Sequence, residues 1–154
     1  MTKPNIEVTR VTKESDLEEL VDQINAASWD AANEMSVYET SALASYLERQ
    51  DTLFVVCRDT NTNTLLGFAS GRFEMKPYDH ELWLYVDEVD VCADQRQKGA
   101  GKAIMNKLLD IAEDEECEEV WLGTEVDNVA ANALYRSIDP DDIEQFVGYT
   151  WETD

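Results

Sequence analysis
Apolar residues recur along this chain at spacings of two and of about 3.6 residues, and the changes of spacing mark out its elements. Ile6 to Val11 alternates and predicts a strand. Ser15-Asp16-Leu17-Glu18 reads as a capping box; Leu17, Leu20, Val21 and Ile24 follow at helical spacing, predicting a helix over about 15–28. Trp29 to Glu39 is mixed and predicts a loop, then Leu43, Tyr46 and Leu47 share a face of a helix over roughly 41–49. Leu53 to Arg58 and Leu65 to Phe73 flank the turn cluster Asp59-Thr60-Asn61-Thr62-Asn63-Thr64, the pattern of an antiparallel hairpin.

Leu82 to Val91 is apolar on both faces through Val86, as a central strand should be. Unbroken alternation would put Leu82, Leu84, Val86, Glu88 and Asp90 on one face. Ile104, Met105, Leu108, Leu109 and Ala112 predict a helix over about 100–116, and Glu119 to Val126 a strand. Asp127 or Asn128 caps a short helix to about Arg136, and Phe146 to Trp151 predicts a last strand. The order β α α β β β α β α β describes a single α/β domain over 1–154. Its mixed, mostly antiparallel sheet is flanked by helices, with one parallel β-α-β crossover.

Composition narrows the function. The formal net charge of −22 repels nucleic acid and anionic membranes. Acids spread from Glu18-Glu19 to Asp141-Asp142 suggest a halophilic setting, where salt screens self-repulsion. No apolar signal core opens the chain and no run reaches membrane length, so a cytoplasmic location is the expectation. Three cysteines without metal spacing and a lone His80 argue against a zinc site, a disulfide framework or a Cys/His nucleophile; no metal is expected.

The chemistry concentrates at Val89-Asp90-Val91-Cys92-Ala93-Asp94-Gln95-Arg96-Gln97-Lys98-Gly99-Ala100-Gly101-Lys102. It reads as a strand end, a basic glycine turn and a helix start. Four of the twelve cations, Arg96, Lys98, Lys102 and Lys107, fall in one window of twelve residues, where uniform scatter would put about one. Free N–H groups at a helix start, the dipole and the glycines together suit a phosphate. A nucleotide P-loop fails because Ala103 offers no hydroxyl to magnesium, and the dinucleotide fingerprint fails at Ile104.

What fits is Arg96-x-x-Gly99-x-Gly101 directly after a strand, which resembles the acetyl-CoA pyrophosphate loop of the GNAT superfamily of N-acetyltransferases. Asn128, Ala131 and Tyr135 match a second pattern of that family. The two motifs and the elements between them span about 82–135. Tyr85 to Val91 with Asn128 to Tyr135 has a looser likeness to the aminoglycoside 3-N-acetyltransferase branch. Asp139 stands where family members often have Gly.

The resemblance implies direct transfer of an acetyl group from acetyl-CoA to a primary amine of a small molecule. The cosubstrate would be held by Val89, Val91, Ala93, Arg96, Lys98, Gly99, Ala100, Gly101, Lys102 and Asn128. A backbone N–H around Val89 to Val91 would polarise the thioester carbonyl. Tyr135 is the candidate acid toward the departing thiolate. Glu88 and Asp90, about 7 Å apart if the strand alternates, are the candidate bases. A β-bulge could bring in Asp87 instead, and a water chain with no single base is the further alternative. A non-catalytic acyl-CoA-binding sensor and a protein N-terminal or lysine acetyltransferase are the competing functions. A short C-terminal sheet would leave an edge able to support a homodimer.

Overall fold
Phe54, Val56 and Phe68 project from one side of a five-stranded sheet onto two helices, while Leu53, Val55 and Cys57 are buried on the other side. The computed structural model describes residues 5–95 and 99–154. The elements in chain order are β1 (Ile6–Arg10), α1 (Leu17–Ala26), α2 (Thr40–Glu48), β2 (Thr52–Asp59), β3 (Thr64–Met75), β4 (Leu82–Val91), α3 (Ala100–Asp114), β5 (Glu119–Trp121) and α4 (Val129–Arg136). The strands lie in the order β1-β2-β3-β4-β5; β1 to β4 are antiparallel neighbours, and β5 runs parallel to β4 across the α3 crossover. The mixed sheet and its single parallel pair are those expected. The chain to Leu122 forms one compact unit and Gly123–Asp154 a second.

The helix caps follow the chemistry of their side chains. The Asp16 carboxylate accepts from the Glu19 N–H at 3.0 Å, so α1 begins at Leu17, while the Ser15 hydroxyl accepts from Thr12 N–H at 3.0 Å and lies outside the helix. Leu17, Leu20, Val21 and Ile24 then bury one stripe against the sheet. In α3 the buried stripe runs through Ala100, Ile104, Met105, Leu108, Ile111 and Ala112. Leu109, expected in it, is 36% exposed, one helical step off the stripe.

The unbroken alternation expected of β4 does not hold. Ser70 of β3 pairs with Glu88 but Gly71 pairs with Val86, which leaves Asp87 as an extra, bulged residue. Before the bulge, Trp83 and Tyr85 lie opposite Glu74 and Arg72; after it, Glu88 and Asp90 lie opposite Ser70 and Phe68. All four share the face that carries α1 and α2, and Leu82, Leu84 and Val86 turn to the face of α3. Glycine is required beside this distortion. A Cβ on Gly71 would stand 2.6 Å from the Tyr85 carbonyl oxygen, and one on Gly67 2.5 Å from that of Asp90 and 3.1 Å from Ile104 Cδ1 of α3. Gly67 thereby lets α3 seat closely across the end of β4.

Two expected strands change. β5 ends at Trp121, because only Trp83, Leu84 and Tyr85 of β4 pair with it and the bulge turns β4 away from its line. No strand forms over 146–151: Val147, Tyr149 and Trp151 are exposed, with the Tyr149 and Trp151 rings 6.2 Å apart. An alternating apolar pattern makes a strand only where a sheet edge receives it.

Candidate active site
The site is built where β4 leaves β5. Beyond Tyr85 no described β5 residue pairs with β4. The Cys92 N–H donates to Leu66 O of β3 at 2.9 Å. At a period of two, the N–H groups of Val89 and Val91 therefore face the opposite, β5-side edge. Polar backbone groups on an unpaired edge need a partner, and an extended polar chain is one kind that suits them. The Ala93 N–H is taken by Ser28 O at 2.7 Å, tying the end of β4 to the start of the α1–α2 connection.

Past the short turn Ala93–Gln95, Gly99 is the N-cap of α3 with φ +84, a left-handed conformation that glycine adopts without strain. It brings no side chain to the helix start, and no acid lies in the first turn. The N–H groups of Ala100, Gly101 and Lys102 precede the first intrahelical bond, from Ala103 N–H to Gly99 O at 3.0 Å. Lys102 is exposed there. Arg96 and Lys98, the expected phosphate ligands, lie outside the described residues.

On the α1–α2 face of β4 the two carboxyls meet. Asp90 is 7% exposed and the only buried charged residue among those described; Glu88 is exposed. They adjoin on one face, two residues apart beyond the bulge. Asn33 Nδ2 donates to Asp90 Oδ1 at 3.0 Å, and the Tyr38 phenol adjoins both carboxyls. Burial first, then the adjoining Glu88 charge, lifts the Asp90 carboxyl from 3.8 to about 7, with the Asn33 bond opposing. Burial and the same two carboxylates raise the Tyr38 phenol.

Asp87, the alternative base, is exposed and ion-paired with Arg72, whose guanidinium also lies 5.1 Å from the Tyr85 ring centroid. Cys92 is buried with its thiol directed at Leu65 O; burial and Asp94 push it up to about 12, so it stays protonated and unreactive. No group of described residues could hold a metal ion.

The second unit carries Asn128 and Tyr135. Asn128 Oδ1 accepts from the Ala131 N–H at 3.1 Å as the N-cap of α4, so its side chain serves the helix. Asn128, Ala131 and Tyr135 recur at i, i+3 and i+7 and share one helix face. Asp139 has φ +56, so it makes the left-handed turn that glycine would favour.

Asn33 and Tyr38 escaped the sequence reading. Their partners lie 57 and 50 positions away, and nothing in the mixed 29–39 stretch marks them.

The acetyltransferase (GNAT) family model matches residues 18–138. The chain belongs to the GNAT family. As a GNAT protein it is an N-acetyltransferase, and the match crosses from the first compact unit into the second. No curated relative matches the sequence. Among solved structures, this GNAT chain is similar to an aminoglycoside acetyltransferase from an uncultured soil metagenomic sample, solved with trehalose. The two share 20% identity over 97% of each chain at a TM-score of 0.84. The complex of that enzyme with sisomicin gives 19%, the same coverage and 0.84. A ribosomal-protein-alanine N-acetyltransferase from Brucella melitensis biovar Abortus 2308 shares 18% identity over 96% of this chain and 99% of that one, at 0.73. At these identities the likeness is one of fold. No described helix is long and apolar enough to cross a membrane.

Proposed function
We propose that the chain is one N-acetyltransferase domain over 1–154 that moves an acetyl group from acetyl-CoA directly to a primary amine of a small molecule. The observation that carries the reading is the unpaired edge of β4, with the α3 start beyond it and two carboxyls on one face. The N–H groups of Val89 and Val91 would bind the pantetheine arm and the thioester carbonyl. Those of Gly99 to Lys102, with Arg96 and Lys98, would hold the diphosphate. The described part of this turn fits the role: it has open N–H groups, a glycine in left-handed conformation and no acid. Glu88 would take the proton from the substrate ammonium, and Tyr135 would donate one to the departing thiolate.

The small-molecule acceptor draws support from the aminoglycoside acetyltransferase of similar fold. The ribosomal-protein-alanine enzyme supports a protein acceptor in the same measure that fold can. A non-catalytic sensor would draw weight from the departure at Asp139, but Asp139 takes the left-handed conformation that glycine would favour there, which weighs against it.

The test is release of the CoA thiol from acetyl-CoA with a panel of small primary amines and N-terminal peptides in concentrated KCl. Turnover with small amines is expected, and its absence with every amine contradicts the reading. Tyr135→Phe should lower kcat by roughly 10²-fold or more while acetyl-CoA affinity stays near parental. An unchanged kcat removes Tyr135 from the acid role.

A further inference from the structure
We infer that Asn33 and Asp90 form a positioning pair behind Glu88: the buried Asp90 carboxyl, oriented by the Asn33 amide, fixes the Glu88 carboxylate toward the acceptor amine and sets the pH at which it works. This rests on Glu88 being the proton acceptor proposed above. Exposure separates the two roles. Asp90 is 7% exposed beneath Glu88, whereas Glu88 is open, so only Glu88 can meet a substrate.

The hydrogen bonds divide the carboxyl oxygens. Asn33 Nδ2 occupies Asp90 Oδ1 at 3.0 Å. An amide N–H can only donate, so Oδ1 is the acceptor and the proton shared with Glu88 is carried by Oδ2. The Asp90 carboxyl is then placed to donate to Glu88, its neighbour on the same face of β4, with the Tyr38 phenol adjoining both. Tyr38 is itself fixed by edge contacts with Phe54 and Phe68, at 6.3 and 5.6 Å between ring centroids. The α1–α2 connection thus supplies the clamp on Asp90 and brings Tyr38 beside the pair.

The groups facing Asp90 are few. Glu88 lies on its own strand, Cys92 follows two residues on, and Tyr38 comes from the α1–α2 connection with Tyr46 of α2 near it. Arg72 of β3 is engaged with Asp87. With no described cation on the pair, burial and the adjoining Glu88 charge raise the Asp90 carboxyl toward neutrality. In the reaction an ammonium N–H bond breaks and the proton passes to a Glu88 carboxylate oxygen, leaving the nitrogen lone pair free to attack. When Asp90 loses its own proton, Glu88 loses the donor that fixes it. kcat/KM should therefore gain a falling limb near neutral pH.

The experiment joins two readouts on the full chain. Carboxyl carbons of Asp and Glu are followed by NMR against pH, with Asp90→Asn identifying the Asp90 signal, and kcat/KM is measured over the same range. Asp90 should titrate near neutrality in the parent. The Asn33 bond favours its ionised form, so Asn33→Ala should move that midpoint upward by roughly half to one pH unit, and the limb of kcat/KM with it. Asp90→Asn should abolish the limb while retaining a slower rate. A limb that survives Asp90→Asn, or an Asp90 midpoint unmoved by Asn33→Ala, overturns the inference. A rate profile unmoved while the midpoint moves also overturns it. Failure of the underlying reading looks different: Glu88→Gln would turn over like the parent while the Asp90 titration of the parent and of Asn33→Ala stayed as described.

Discussion

Replacing Glu88 by glutamine is expected to lower kcat/KM for the amine by about 10²–10⁴-fold while the KM for acetyl-CoA stays near the parental value. The substitution preserves shape. A glutamine carbonyl can still accept from the Asp90 carboxyl, the donor inferred to fix Glu88. What it cannot do is carry away the ammonium proton at neutral pH. Acetyl-CoA would be held by backbone N–H groups of β4 and α3, which the change leaves alone. Initial rates of CoA thiol release over a range of amine concentrations check this. Parental turnover would move proton acceptance elsewhere, with a water chain the first alternative, since Asp87 is already paired with Arg72.

Phe68→Ala should cost about 3–5 kcal/mol of stability, the usual loss when a fully buried aromatic becomes alanine. Phe68 has no exposed surface and stacks on Phe54 with ring centroids 5.3 Å apart, while Trp29 and Tyr38 approach it edge-on at 5.4 and 5.6 Å. Its backbone is also opposite Asp90 in the β3–β4 register. The cavity would therefore loosen the two aromatics of the α1–α2 connection and open the floor of the carboxyl pair to water. Denaturant unfolding at fixed KCl reads the stability loss. A change below about 1 kcal/mol, within the range of ordinary surface substitutions, would mean that this aromatic group is not the core of the unit.

The segment from Leu82 to Lys102 was legible because its signals are local. A doubly apolar run, a glycine turn and a helical stripe each declare themselves within a dozen residues, and the family pattern lies on them. Glu88 and Asp90 could be placed on one face because both follow the bulge, so the period of two survives between them. The opposite turn of Leu84 and Val86 could not be read, because the bulge depends on how β3 pairs with β4. Gly67 and Gly71 carry the only trace of it: each lies where a Cβ would strike the β4 backbone. Asn33 was silent for the same reason, since a long-range hydrogen bond leaves no periodicity. The run 146–151 erred in the other direction. Its apolar alternation is real, but a strand is a property of two segments, and the described residues give this one no neighbour in a sheet.

The ion pairs that structure the surface, such as Arg10 with Glu115 and Arg49 with Asp51, are exposed and contribute little individually. Against a net charge of −22, they do not explain why cations gather at the start of α3. The anion proposed to bind there would, and its binding is open to direct measurement. Calorimetric titration of the parent protein with acetyl-CoA in concentrated KCl should show saturable binding at one site per chain, weakened at least tenfold in the Arg96→Ala, Lys98→Ala double variant, since charge-assisted hydrogen bonds contribute roughly 1.5–3 kcal/mol each. No heat of binding to the parent, or equal affinity in parent and variant, would contradict the account.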